Sequence, residues 1–164
     1  MKTFLKFAGC IALILTAVAF ILLFATNAFV GEGKWSGADY AIKGTAALFG
    51  NDDVKSCWAG ILAFILLVVA IIALICAIVL PLAKVKSADK FAGFLNVCAA
   101  ISLILAGIFV FCTKDAFFKA NDGNGVIQAL VTYKISAGWI IAGILSIVSG
   151  CIALAPAAAD LFSK

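Results

Sequence analysis

Charged residues are absent from four stretches of this chain: Phe7–Gly31, Ser56–Ala83, Phe91–Thr113 and Ile135–Ala159. A helix needs about 20 mostly apolar residues to cross the hydrocarbon layer of a bilayer, and each stretch is long enough. The pattern predicts an all-α membrane protein: one domain over residues 1–164, built as a four-transmembrane-helix bundle. The spans are expected at about 5–27, 57–82, 91–113 and 136–158. Two longer polar connections, about 28–56 and 114–135, would form a small cap on the outer side, as strands or as helices.

Composition supports a bilayer setting. Of the 164 residues 66% are hydrophobic and only 12% charged, and mean hydropathy is +1.24. Soluble domains carry about twice that share of charge. The first run also has the basic start of a signal peptide, at Lys2 and Lys6. It is long for such a segment and "ATNAFVG" is a poor cleavage site, so a retained first span is expected.

Lysine sets the expected orientation, since every basic residue is Lys. Lys2 and Lys6 at the start, and Lys84, Lys86 and Lys90 between spans 2 and 3, are dense and lie on one side. Lysines of the other side are spread over longer loops, among Glu32, Asp39, Asp52, Asp53, Asp115 and Asp122. The positive-inside rule then puts both termini in the cytoplasm, as a multi-pass protein of the plasma or cytoplasmic membrane. Trp35, Tyr40, Trp58, Tyr133 and Trp139 all fall on the outer side. They read either as half of an aromatic belt at the headgroups or as an outer aromatic contact surface.

KFAG occurs at Lys6–Gly9 and Lys90–Gly93, and AGIL at Ala59–Leu62 and Ala142–Leu145, which fits a duplicated hairpin. CIAL, at Cys10–Leu13 and Cys151–Leu154, links spans 1 and 4 instead, and no single shift accommodates all three words. Shared membrane-entry chemistry accounts for KFAG: Lys holds its ammonium among the headgroups and Phe enters behind it.

Inside the spans, small residues form rows. Gly138, Ala142, Ser146 and Gly150 are four apart, a helix-packing row that would face either the bundle or another subunit. Shorter rows are Ala8, Ala12, Thr16 and Ala92, Asn96, Ala100. Asn96 is the one intramembrane amide and should face a partner group. Pro81 and Pro156 sit where helices end.

Candidate chemistry is sparse. The spans hold no charge of the kind that pumps and voltage sensors use. The chain lacks His and Arg, the usual general base and phosphate clamp, and has no CxxC or HExxH spacing. Asp52 and Asp53 are adjacent loop residues that point apart. No catalytic, cofactor or metal site is expected. Of six scattered cysteines, Cys57 and Cys112 stand at the outer ends of spans 2 and 3 and are candidates for a disulfide.

The short basic inner segments and the Gly138-Trp139 start of span 4 resemble uncharacterised four-span proteins of low-GC bacteria. The layout is also similar to the claudin-like tetraspans, with a longer first outer loop, Trp35, then Leu48-Phe49-Gly50 and Cys57. It departs from them in lacking GLW and a second loop-one cysteine. That resemblance implies a membrane organiser. Two functions follow: a non-enzymatic protein acting by self-association or as an accessory or scaffold subunit through its outer loops, or a subunit of an oligomeric pore. Expected partners are the lipid bilayer and a second copy or larger membrane protein, with no nucleic acid, small-molecule substrate or cofactor.

Overall fold

The computed structural model describes residues 2–33, 39–83, 88–122 and 130–162. Trp35 and the lysines 34, 84 and 86 lie outside the described residues. In chain order the elements are α1 (Lys2–Ala25), β1 (Asn27–Gly33), β2 (Asp39–Lys43), α2 (Gly44–Phe49), α3 (Trp58–Leu82), α4 (Ala88–Ala120), β3 (Leu130–Ile135) and α5 (Ala137–Phe162). Four of the helices are long and apolar enough to cross a membrane, over Phe7–Ala25, Trp58–Leu82, Phe91–Ala120 and Ala137–Ala155. This is the layout of an integral multi-pass membrane protein.

The helices alternate in direction around a ring: α1 packs on α3 and α5, and α4 packs on α3 and α5. Size, more than polarity, sorts their faces. On α3 the buried positions are Ala59, Gly60, Ala63, Leu67, Ala70, Ala73, Leu74 and Ala77. Between them, Leu62, Ile65, Val69, Ile72, Ile75 and Val79 are exposed. The other spans repeat the arrangement, with Ala12 and Ala19 buried on α1 while Ile14 and Ile21 point out. Lipid is as apolar as leucine, so helices there gain nothing by hiding large side chains; they gain dispersion contacts by coming close. Small residues inside permit that approach, and large ones outside meet the acyl chains.

The Gly138, Ala142, Ser146, Gly150 row on α5 lies against its own bundle. Ala142 and Ser146 are buried. A Cβ on Gly138 would collide with the Thr26 side chain at the end of α1. One on Gly150 would stand 2.9 Å from Ile104 Cγ1 and 3.0 Å from the Ala100 carbonyl oxygen on α4. The alternative that placed this row against another subunit is thereby overturned: α1 and α4 already occupy it.

Hydroxyls add directional bonds to the same seam. Thr16 Oγ1 and Ser149 Oγ lie 2.8 Å apart, and each stands 2.7 Å from the Ala12 carbonyl oxygen. Ser146 Oγ donates to the Ala142 carbonyl at 2.8 Å. Among the described residues no buried side-chain polar atom lacks a partner. A polar atom stranded in hydrocarbon is costly, so satisfied hydroxyls are what allow Ser and Thr to serve as small residues here.

At the end of the bundle away from the termini, the two longer connections fold together. β2, β1 and β3 form a three-stranded antiparallel sheet in that order, so β1 from the first connection is bonded to β3 from the second. α4 helps carry it. Its 33 residues amount to about 50 Å, some 20 Å more than the hydrocarbon layer requires. The third span was expected to stop near 113, yet the helix continues to Ala120. Lys114 and Asp115 end the apolar run without ending the helix, because charge limits immersion in lipid rather than backbone hydrogen bonding.

Overpacking tests the α5 seam. Ser146→Leu and Gly150→Leu should each lower stability by about 1–3 kcal/mol, read as a lower Tm in detergent, while the oligomeric mass of the folded fraction stays that of the wild type. A clean shift to smaller particles at unchanged Tm would put the row back at a subunit interface.

Candidate interaction surface at the sheet end

The junction between sheet and helices is an aromatic core. Phe29 of β1 is fully buried, with its ring centroid 4.8 Å from Phe117 of α4 and 6.1 Å from Trp139 of α5. Phe118 stands 4.9 Å from Tyr133 of β3, whose ring lies edge-on to Phe29 at 6.3 Å. The sheet pattern explains the selection. Phe29 and Tyr133 point toward the helices, whereas their neighbours Val30 and Lys134 are exposed. This alternation is the period-2 signature of a sheet covered on one face.

Hydrogen bonds fix the junction. The Trp139 indole N–H donates to the Leu23 carbonyl at 3.3 Å. Ser136, between β3 and α5, donates its backbone N–H to the Ala28 carbonyl at 2.9 Å and its hydroxyl to the Asn27 carbonyl. Gly44 sits so close to the end of α1 that a Cβ would collide with the Leu23 carbonyl, and its N–H donates to the Thr26 carbonyl at 3.0 Å.

Asn121, just past α4, holds the two connections together and was not singled out from sequence. Its Oδ1 accepts the Lys55 N–H at 2.7 Å, and its Nδ2 donates to the carbonyls of Lys55 at 2.9 Å and Phe117 at 3.0 Å. Only 3% of Asn121 is exposed, so this amide has exchanged water for a full set of protein partners. The available signal was Asn-Asp-Gly at 121–123 following Phe117-Phe118-Lys119-Ala120, a helix-stop pattern.

The expected aromatic surface divides in two. Tyr40 and Trp58 are 44% and 58% exposed, and Trp58 meets Phe109 edge-on. Tyr133 and Trp139 are not surface residues: they are 6% and 0% exposed. Trp139 lies beneath the sheet with its indole N–H satisfied by Leu23, so the headgroup layer has no claim on it. The Cys57–Cys112 bridge is likewise absent, since both are free thiols. Cys57 is buried at the N-cap of α3 and directs Sγ to the Ala47 carbonyl at 3.6 Å, whereas Cys112 is exposed on α4. Asn96 is half-buried on α4.

Beneath β2 lies a groove of about 540 Å3 between Tyr40, Ile42 and Lys43 on one side and α2 with residues 49–54 on the other. Its far wall is an Asx turn in which Asn51 Oδ1 accepts the N–H groups of Asp53 at 3.1 Å and Val54 at 2.8 Å. Gly50 enters that turn at φ 76°, a left-handed conformation that glycine adopts without strain. Asp52 and Asp53 are both exposed there. Among the described residues no group of three His, Cys, Asp or Glu is placed to hold a metal ion. What the sheet end presents is shape, aromatic rings and charge.

Two protonation equilibria are tied to this region. Burial pushes the Cys57 thiol above its ordinary 9.0, partly offset by backbone N–H groups of Gly60 and Cys57 itself. Burial also pushes the Tyr133 phenol above its ordinary 10.0. Both groups favour the folded state while protonated. That contribution is complete below pH 9.0 and is lost as pH rises through the raised folded values. The wild type should therefore lose Tm above about pH 9, and Cys57→Ala together with Tyr133→Phe should flatten that limb. An unchanged alkaline limb in the double variant would refute the assignment.

No protein-family profile matches the chain, and no curated relative aligns with it.

Proposed function

We propose that this protein is a non-enzymatic membrane protein that acts by self-association, or as an accessory or scaffold subunit, with the sheet end as its contact surface. The observation that carries this reading is the sheet itself. Two separate connections build one sheet, an aromatic core seats it on α4 and α5, and among the described residues no further strand pairs with the β2 edge. A sheet face presenting Val30, Lys43 and Lys134 suits recognition, because little ordering remains to be done on binding.

Lysine density supports a cytoplasmic location for both termini and an outward sheet end, in the plasma or cytoplasmic membrane. The claudin-like layout supports the role of a membrane organiser. A pore subunit is the other reading, and the exposed helix faces weigh against it. Ile101, Leu105, Ile108 and Phe111 line the outer side of α4, an apolar stripe rather than a polar path. Within the bundle, Leu67, Leu74, Leu103 and Val110 are fully buried in the apolar core.

Native mass in mild detergent should exceed that of one 17.0 kDa chain, and liposomes carrying the protein should conduct no more than empty ones. A strictly monomeric particle would overturn self-association, and reproducible single-channel steps would favour the pore.

A further inference from the structure

β2 is an edge strand: β1 bonds to one side of it, and no strand among the described residues bonds to the other. Edges of this kind usually carry devices that discourage pairing with another chain: short length, lysine, a proline, a bulge or an inward charge. β2 is short, at five residues, and ends in Lys43, but it has neither proline nor bulge. Asp39 to Ile42 pair with β1 in unbroken register, Glu32↔Asp39 to Phe29↔Ile42, and the irregularity lies between Asn27 and Phe29 of β1. Along the strand Tyr40, Ala41 and Lys43 are exposed.

The order of residues in β2 adds a second observation. The strand reads Asp-Tyr-Ala-Ile-Lys. Laid antiparallel against a second copy and centred on Ala41, it places Asp39 of each chain across from Lys43 of the other, and Tyr40 across from Ile42. Opposite charges and aromatic–β-branched pairs are favourable directly across an antiparallel ladder, and like charges are not. β3, the sheet's other edge, reads Leu-Val-Thr-Tyr-Lys-Ile and carries no acid, so it lacks this self-complementarity.

We infer that β2 is the self-association edge, and that two copies join β2 to β2 about a two-fold axis at Ala41 into one six-stranded sheet of order β3-β1-β2-β2-β1-β3. The inference rests on the self-association reading above and specifies its surface. The two-fold makes the contact closed: each copy uses its single β2 edge, and assembly through this edge stops at the dimer.

Full-length protein in mild detergent tests it through charge exchange. Ala41→Cys marks the axis, and peptides joined through the two introduced thiols by a short crosslinker are identified by mass spectrometry. Val30→Cys is the control, since the two Val30 positions lie three strand spacings, about 14 Å, apart. Strong linkage between the two copies of position 41, with none at position 30, is expected. Asp39→Lys and Lys43→Asp, each added to Ala41→Cys, should cut the yield several-fold, by setting Lys against Lys or Asp against Asp. Mixing those two charge variants should restore linkage as the heterodimer, because a strand with Lys at both ends then meets one with Asp at both. That rescue also shows that each variant is folded.

Dimers that persist without linkage at position 41, or charge variants that link as well as their parent, would overturn the β2 edge and leave self-association standing. Monomers throughout, wild type included, would overturn both.

Discussion

Lipid gives helices no reason to hide their large apolar side chains, and that single constraint shapes most of this molecule. Along the spans most buried positions are small residues and much of the outward surface is isoleucine and valine, with Leu67, Leu74, Leu103 and Val110 among the few large side chains turned in. Close approach then supplies the cohesion. Gly150 against Ala100 and Ile104, and Gly138 against Thr26, leave no room for a Cβ without displacement of a neighbour. Thr16 and Ser149 tie the same seam through the Ala12 carbonyl, a bond that strengthens in a dry medium and costs little space.

At the sheet end of the bundle the side chains that gather are aromatic, Phe29, Phe117, Phe118, Tyr133 and Trp139, and they pack ring against ring. α4 continues as one helix past Thr113, so that Phe117 reaches the sheet. Asn121 then closes the structure by bonding Lys55 in the other connection. Placement of the sheet by these contacts is what gives its outer face and its β2 edge a defined geometry.

The four spans were legible because immersion in lipid requires a length and a composition, and both are one-dimensional. Where the chain leaves lipid, the same signal misleads. The apolar run continues through Ala28, Phe29 and Val30 although the helix has ended at Ala25, because those residues serve a sheet. The charges at Lys114 and Asp115 stop the run although the helix goes on. Trp139 had the position of a belt residue, and only the presence of Phe29 above it and the Leu23 carbonyl beside it makes it core. Cys57 and Cys112 shared a level in the sequence but not a direction. The α5 row was readable as a packing surface from its spacing, whereas the identity of its neighbours depended on the ring order of the helices.

The central claim is that the aromatic junction of Phe29, Phe117, Tyr133 and Trp139 holds the sheet on the helix ends. Hydrogen exchange of Phe117→Ala in lipid nanodiscs tests it most directly. The amides of β1 and β3 should lose protection by an amount equivalent to about 3–5 kcal/mol, or to the level of open strands, while those of α3 remain as slow as in the wild type. Protection lost equally from the spans, or retained throughout the sheet, would contradict the account.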